Sequence, residues 1–352
     1  MVKYKGKQIY QGNVSLGNHL RKEYLESINK FIDQKYSESF RKRDEFCDKD
    51  IVQKQEVYRK QYIDMIGEPV YPYPEYCPKA KSTYVGKDDM CDIYYLQIEV
   101  MPEFWFWGIF MVPFNIEKAP LVIAQHGGGS TPEICSDMLG ESNYGYFTKR
   151  ALERGMAVFA PQLLLWKFDI QTGEKKLEID LEFKRGEIDN KLKHLGLSIT
   201  GLEVFCIRRS IDYLTSLDYI DENRVGMMGA SYGGYFSLHT AAADKRIKSV
   251  YAACFFNDRT RICFDDWKYH NAASTFLDAE VAALCAPRRL QIDVGIDDPV
   301  FDYHTSIKES KRAEKYYSLF DASDNFCFNL WKGGHRFDES AIGFEFFFDG
   351  MI

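Results

Sequence analysis

Apolar runs that alternate with helical segments are the feature that most constrains the fold of this 352-residue chain. Each run has the length of a buried strand, and the segments between several of them repeat apolar residues every three or four positions. Parallel strands need helical crossovers, so this alternation predicts an α/β fold. We expect a mostly parallel sheet of about eight strands with helices on both faces. The predicted parallel strands cover residues 119–129, 156–166, 224–230, 247–256, 289–296 and 326–331, after an antiparallel hairpin at 93–101 and 104–114.

The first 80 residues have a different pattern. Residues from Leu16 to Phe31 repeat apolar side chains at helical spacing, and a second helix is predicted at about 49–66. The proline-rich stretch 67–78 then separates these helices from the strands. We therefore predict a helical N-terminal extension over 1–80 and an α/β catalytic domain over 81–352. The N-terminal helices are the part of the chain that could support a homo-oligomer.

Charge and composition exclude several classes of partner. The net charge is −7, which argues against nucleic acid or an anionic membrane surface as the main partner. No apolar run reaches 18 residues, and the first residues lack the apolar stretch of a signal peptide. Nine cysteines occur without a C-x-x-C pair, so no zinc ribbon or other metal site is expected. These features predict a reduced, cytoplasmic protein.

One short glycine-rich segment has the pattern of a nucleophile turn. Gly229-Ala230-Ser231-Tyr232-Gly233 spells G-x-S-x-G where a predicted strand meets a predicted helix. Such a turn holds a serine at a sharp bend, and small residues must stand on both sides of it. The alternative is a glycine-rich turn without chemistry. The setting favours Ser231 as a catalytic nucleophile.

A serine nucleophile needs a base and an acid that orients the base. His335 fits the base because it follows the last strand, after two glycines. The acid is expected in the loop after strand 289–296, where Asp297, Asp298 and Asp302 are available. We prefer Asp298, which stands just before Pro299, with Asp297 as the alternative. Two other histidines are assigned differently, since His126 opens a glycine run and His239 lies within a helix.

The glycine run at 126–129 supplies candidate oxyanion donors. Hydrolysis builds a negative oxygen that two preorganised N–H groups must stabilise. One donor is expected from the amide of Tyr232, and the other from Gly128, with Gly127 and Gly129 as alternatives. A dinucleotide loop is excluded because Pro132 stands where its third glycine would be needed. No P-loop and no H-E-x-x-H motif occurs, so no cofactor is expected.

Four motifs in this order give the chain a family resemblance over about residues 80–352. They are HGGG (126–129), GASYGG (229–234), GIDDPVFD (295–302) and GGHRFD (333–338). Together they resemble the α/β-hydrolase superfamily, and residues 195–234 are similar to its acetyl xylan esterase and dienelactone-hydrolase-like group. The resemblance implies an α/β-hydrolase fold with Ser231 as nucleophile, Asp298 as acid, His335 as base, and Gly128 with Tyr232 as oxyanion donors.

The same resemblance implies a serine carboxylesterase that acts on a small-molecule ester through an acyl-enzyme. Acetyl esters, including those on carbohydrate, are the expected substrates. The alternatives are a prolyl-oligopeptidase-type serine peptidase and a non-enzymatic protein of the same fold. A peptidase of that type carries a long propeller before the hydrolase domain, and only about 80 helix-like residues precede it here.

Two long segments are candidates for substrate specificity. Residues 162–200 are long and charged, with Trp166 and Phe168 near their start. This segment could cover the site, or it could be a surface excursion packed on the N-terminal helices. Residues 255–274 follow another strand, and their Trp267, Tyr269 and His270 could line an acyl or sugar pocket.

Overall fold

The computed structural model describes residues 2–4, 7–10, 14–46, 50–69, 76–140, 142–165, 181–262, 264–338 and 340–351. The strands are β1 (Val2–Tyr4), β2 (Lys7–Tyr10), β3 (Lys79–Lys87), β4 (Cys91–Met101), β5 (Phe104–Pro113), β6 (Ala119–Gln125), β7 (Ala157–Pro161), β8 (Ile220–Ala230), β9 (Ile247–Ala253), β10 (Arg289–Gly295) and β11 (Phe326–Trp331). The helices are α1 (Val14–Glu45), α2 (Ile51–Met65), α3 (Pro132–Cys135), α4 (Phe147–Leu152), α5 (Leu181–Lys193), α6 (Ile199–Leu214), α7 (Tyr232–Ala243), α8 (Asp278–Cys285), α9 (Tyr303–Leu319) and α10 (Ala341–Asp349).

The main sheet has nine strands in the described part of the chain, in the order β11-β10-β9-β8-β6-β7-β5-β4-β3. The six strands from β11 to β7 run parallel, and β5, β4 and β3 continue the sheet antiparallel. The predicted mostly parallel α/β sheet is therefore confirmed. The extra strand is β3, an edge strand that is mostly exposed. Its sequence, KAKSTYVGK, lacks the apolar run from which the other strands of this sheet were predicted.

Helices cover both faces of the sheet, as predicted. All seven residues of β6 and all five of β7 are buried, because a parallel strand between two helical layers meets water on neither face. One hydrophobic cluster joins the sheet to α6, α7, α8 and α9. A second cluster joins the opposite face to α4 and α10. Helix α10 was not predicted from the sequence.

The end of α1 and the whole of α2 pack against the α/β body. In α2, Ile51 and Tyr62 belong to the same hydrophobic cluster as the central strands. At the end of α1, Arg43 Nε donates to Glu280 Oε2 at 2.7 Å, and its Nη atoms donate to Glu309 at 2.9 and 2.7 Å. These contacts fix where the N-terminal helices join the rest of the chain. The domain boundary at residue 80 stays a prediction.

Helix length and polarity bear on membrane insertion. Among the described residues, no helix combines the length and the apolar character that a membrane span requires.

The buried ion pairs of Arg43 give a stability prediction. The Glu280 side chain is fully buried and that of Glu309 is 8% exposed, and burial raises the pKa of Glu309. Replacing Arg43 by Met should lower the free energy of unfolding by about 3 kcal/mol, because it leaves a buried carboxylate without its main cation. Urea unfolding at neutral pH measures this loss.

The control is Arg41→Met on the exposed side of the same helix, which should change the unfolding free energy by less than about 0.5 kcal/mol. The loss in the Arg43 variant should shrink in acid, where protonation of Glu309 removes the unpaired charge. Equal stability of the two variants at neutral pH would contradict the proposed role of the ion pairs.

Candidate active site

Ser231 occupies a strained turn between β8 and α7. Its backbone lies at φ 58° and ψ −122°, a combination that L-residues rarely adopt. The Ser231 amide donates to the carbonyl of Ala253 in the neighbouring strand at 2.8 Å. The strand-turn-helix setting predicted for this serine is therefore present.

The two glycines of the motif allow this turn to pack. A Cβ atom placed on Gly229 would lie 2.5 Å from the carbonyl carbon of Gly233 and 2.7 Å from the carbonyl oxygen of Gln125. A Cβ atom on Gly233 would collide with the same Gln125 oxygen. Any larger residue at either position would push β6, β8 and α7 apart and displace Ser231.

His335 and Asp298 are brought together by the loops after β11 and β10. His335 Nδ1 lies 2.8 Å from Asp298 Oδ2. The Asp298 side chain is fully buried, while that of His335 is 27% exposed. The second oxygen of Asp298 accepts the amides of Val300 at 2.8 Å and Phe301 at 3.3 Å. This carboxylate is therefore fixed in orientation by three hydrogen bonds.

The other acidic candidates of the loop lie elsewhere. Asp297 is exposed, and its amide donates to the Gly333 carbonyl at 2.9 Å, which joins the two loops. Asp302 begins α9 and accepts from His304 Nδ1 at 2.8 Å. Of the three aspartates considered, the geometry pairs Asp298 with His335.

Cys254 connects the serine turn to the Asp298–His335 pair. It follows Ala253, the acceptor of the Ser231 amide, and also has a positive φ of 58°. Its Sγ donates to the Arg336 carbonyl at 2.9 Å. Ligand atoms of Cys254, Asp298 and His335 lie within 4.8 Å of one another, the one group among the described residues that could hold a metal ion. No sequence motif singled out this cysteine.

The glycine run lies next to the serine turn. The Gly127 amide donates to Tyr144 Oη at 2.6 Å, and the Gly129 amide donates to the Leu165 carbonyl at 3.1 Å. Gly128 is exposed, and a Cβ atom built on it would lie 3.3 Å from the ring of Tyr232. Two of the three alternative amides are thus engaged by the protein, which favours Gly128 as the donor. No sequence motif pointed to Tyr144.

The Tyr232 amide is the second predicted oxyanion donor. Tyr232 is the first residue of α7, and amides in the first turn of a helix have no acceptor within that helix. They also carry the positive end of the helix dipole. The start of a helix is a favourable setting for an oxyanion donor, and the role of this amide stays a prediction.

His126 has a structural position at the start of the glycine run. Its Nε2 accepts the Leu163 amide at 2.9 Å, and burial lowers its pKa to about 4. It is therefore neutral near pH 7. The neutral ring links the glycine run to the loop after β7.

A buried charge network fixes the ring of Tyr232. Tyr232 Oη donates to Asp266 Oδ1 at 3.0 Å, and Arg185 Nε donates to Asp266 Oδ2 at 2.8 Å. Arg185 also pairs with Glu203 at 2.8 Å, although its own side chain is only 4% exposed. Burial and the Asp266 carboxylate raise the pKa of Tyr232, so its hydroxyl stays protonated. Arg185 was not predicted from the sequence, because it lies in the charged segment 162–200, where burial is not expected.

The residues predicted to determine specificity lie in different environments. Trp166 and Phe168 lie outside the described residues. Trp267 is 1% exposed and stacks between Tyr235 at 4.3 Å and Phe301 at 6.0 Å, so it packs in the core and does not line an open pocket. Its neighbour Phe301 stacks on the ring of His335 at 5.7 Å.

Tyr269 and His270 do line a surface groove. Its other lining residues come from the end of α2 and the residues before α6, among them Gly67, Lys193 and Ser198. The prediction that these two side chains bind an acyl or sugar group stays a prediction.

Comparisons with known proteins identify the family and the fold of the chain. The family model for acetyl xylan esterase (AXE1) matches residues 86–268, just over half of the chain. The match includes Gly128 and Ser231 and ends before Asp298 and His335. The curated protein "Putative hydrolase YtaP" of Bacillus subtilis is 25% identical over 246 residues, which cover 66% of this chain and 78% of that protein.

Two solved structures share the fold. Acetyl xylan esterase 1 from Thermoanaerobacterium sp. is 17% identical, with 85% of this chain and 94% of that chain covered and a TM-score of 0.58. A glucuronoyl esterase from Solibacter usitatus is 14% identical, with 83% and 91% covered and a TM-score of 0.59. The resemblance inferred from the four motifs is confirmed, and the chain belongs to the acetyl xylan esterase family, a family of carboxylesterases with the α/β-hydrolase fold.

Proposed function

We propose that the chain is a serine carboxylesterase that removes small acyl groups, acetyl above all, from esters such as those on carbohydrate. The single observation that carries this proposal is the 2.8 Å hydrogen bond between His335 and the buried carboxylate of Asp298. It lies at the edge of the sheet where β8 presents Ser231, since the carboxyl ends of parallel strands share one edge.

The proposed reaction has two acyl-transfer steps. His335 Nε2 takes the proton of Ser231 Oγ while Oγ attacks the ester carbonyl carbon. Asp298 keeps the proton on His335 Nδ1 and stabilises the charged ring. His335 then gives its proton to the departing alcohol, and a water molecule attacks the acyl-enzyme by the reverse sequence. The acid leaves and Ser231 is restored.

The tetrahedral intermediate carries a negative oxygen that the backbone is proposed to bind. The donors are the amides of Gly128 and Tyr232, each expected to stabilise the transition state by about 3 kcal/mol. The Tyr232 side chain is held by Asp266, and Arg185 fixes Asp266 in turn. The network therefore supports the position of the amide that follows the nucleophile.

A short acyl group fits the residues around the site. The Tyr232 ring lies beside Gly128, and the Phe301 ring lies on His335. We propose that these two rings border the acyl side of the site next to Ser231. The family match supports acetyl esters, and it favours the esterase over the peptidase alternative.

Replacing Ser231 by Ala tests the nucleophile. We expect kcat for 4-nitrophenyl acetate to fall by at least ~10⁴-fold, because the oxyanion donors alone supply only a small residual rate. A fluorophosphonate probe should label the wild type and not the variant. Ser216→Ala, at an exposed serine after α6, is the control and should keep both activity and labelling. Activity and labelling retained in Ser231→Ala would exclude this serine as the nucleophile.

A matched pair of variants tests the acid. Asp298→Asn should lower kcat by about 10⁴-fold, because the amide leaves His335 in the wrong tautomer. Asp297→Asn should change kcat by a few-fold at most, since its side chain is exposed. Steady-state esterase assays over a pH range measure kcat for both variants. The opposite ranking would move the acid to Asp297.

Substrate comparison tests the acyl group. We expect kcat/KM to fall from acetyl to butyryl 4-nitrophenyl esters, because Tyr232 and Phe301 border the acyl side. Acetylated xylo-oligosaccharides should be deacetylated, and Ser231→Ala should abolish that release. Faster cleavage of a glucuronate methyl ester than of any acetyl ester would indicate that the sugar supplies the carboxylic acid of the ester and not the alcohol. Cleavage of prolyl amides in preference to esters would favour the peptidase alternative.

A further inference from the structure

The first six turns of α1 present an apolar surface that the described part of the chain does not cover. Residues 18–37 of this helix are exposed throughout. Eight large apolar side chains in the segment are between 37% and 70% exposed, namely Leu16, Leu20, Tyr24, Leu25, Ile28, Phe31, Ile32 and Tyr36. At 100° per residue they occupy about half of the helix circumference. We call residues 16–36 of α1 the arm.

The apolar area of the arm is that of a protein interface. Eight large side chains at about half exposure offer on the order of 700 Å² of apolar surface. A standard interface buries about 800 Å² on each partner, and apolar patches of this size on a folded chain mark interaction sites. A helix with one bare apolar face also gains little stability from propensity alone.

The charges of the arm favour a second copy of this chain as its partner. Between residues 18 and 38 the helix has four basic and four acidic side chains. Several pair along the helix, among them Lys22 with Glu26 at 3.9 Å and Lys35 with Glu38 at 2.7 Å. A helix that lies on an anionic membrane has a basic polar face instead. Because its positive and negative charges balance, the arm does not repel the arm of a second copy.

The position of the body determines the direction of pairing. Arg43 joins the end of α1 to the α/β part of the chain, which we call the body. The body therefore lies at the C-terminal end of the arm. Parallel arms would place two bodies side by side at one end, whereas antiparallel arms place them at opposite ends. Antiparallel helices also oppose their dipoles. The tip of each arm then reaches the groove lined by Phe31, Ile32, Tyr36 and Ala273 at the base of the other.

We propose that the arm pairs antiparallel with the arm of a second copy, which makes the protein a two-fold symmetric dimer. The same surface serves on both copies, as a two-fold interface requires. Ile28 lies near the middle of the apolar face. Ser37, nine residues later, lies on the opposite side of the same helix at about 100° per residue.

Two exposed substitutions with the same charge change test the dimer. Full-length wild type and Ser37→Glu should have twice the 40.9 kDa chain mass by sedimentation equilibrium or light scattering. Ile28→Glu should have the mass of one chain, because it places two carboxylates in the apolar interface. Circular dichroism should show the same folded chain in all three proteins, since both positions are exposed.

Hydrogen exchange on the wild type gives a test that needs no variant. Amides of residues 16–36 should be protected, and that protection should fall on dilution as the dimer dissociates. A wild type that is monomeric at all concentrations would overturn the proposal, as would an Ile28→Glu protein with the same mass as the wild type. Binding of monomeric wild type to anionic vesicles through the arm would replace the second copy by a membrane.

Discussion

The site depends on the left-handed backbone of Ser231. A non-glycine residue at φ 58° costs on the order of 1–3 kcal/mol and persists only where the surrounding structure imposes it. Here β6, β8 and β9 impose it together. Gly229 and Gly233 let β8 and α7 come close to Gln125 of β6, and the Ala253 carbonyl of β9 holds the Ser231 amide. The strain is thus distributed over three parallel strands whose residues are largely buried, and the sheet core offsets it.

Around that turn, loops are fixed by charges that are buried in pairs. Asp298 orients His335, and Arg185 with Asp266 orients Tyr232. An isolated buried charge is costly, so each group depends on its partner being present. This explains how residues from separate loops and helices keep their relative positions at one edge of the sheet. The aromatic stack of Trp267, Phe301 and His335 connects the two pairs, because Trp267 also contacts the ring of Tyr232 at 5.0 Å.

Local patterns predicted most of the fold and the position of the serine turn, while long-range packing decided the rest. The turn at Ser231 was predictable because strand, glycines and helix are adjacent in sequence. Asp298 was preferred as the acid with Asp297 left as the alternative, since side-chain direction in a tight loop depends on what the loop contacts. The structure directs Asp298 inward and leaves Asp297 exposed. Edge strand β3 was missed because its exposed sequence has no apolar run, and the buried Arg185 was missed because charged sequence was interpreted as surface. Trp267 was assigned to an open pocket, although aromatic residues after a strand pack inward as readily.

The arm illustrates what a periodic pattern leaves undetermined. The spacing of Leu16, Leu20, Tyr24, Ile28 and Phe31 predicts a helix with one apolar face, and α1 is that helix. Periodicity specifies that the face needs a partner, but it does not specify whether the partner lies in the same chain. The contrast with α2 answers this, because Ile51 and Tyr62 of α2 enter the core while the arm does not. Two helices with similar patterns therefore have different roles: α2 stabilises the fold of one chain, and the arm supplies the surface on which two chains meet.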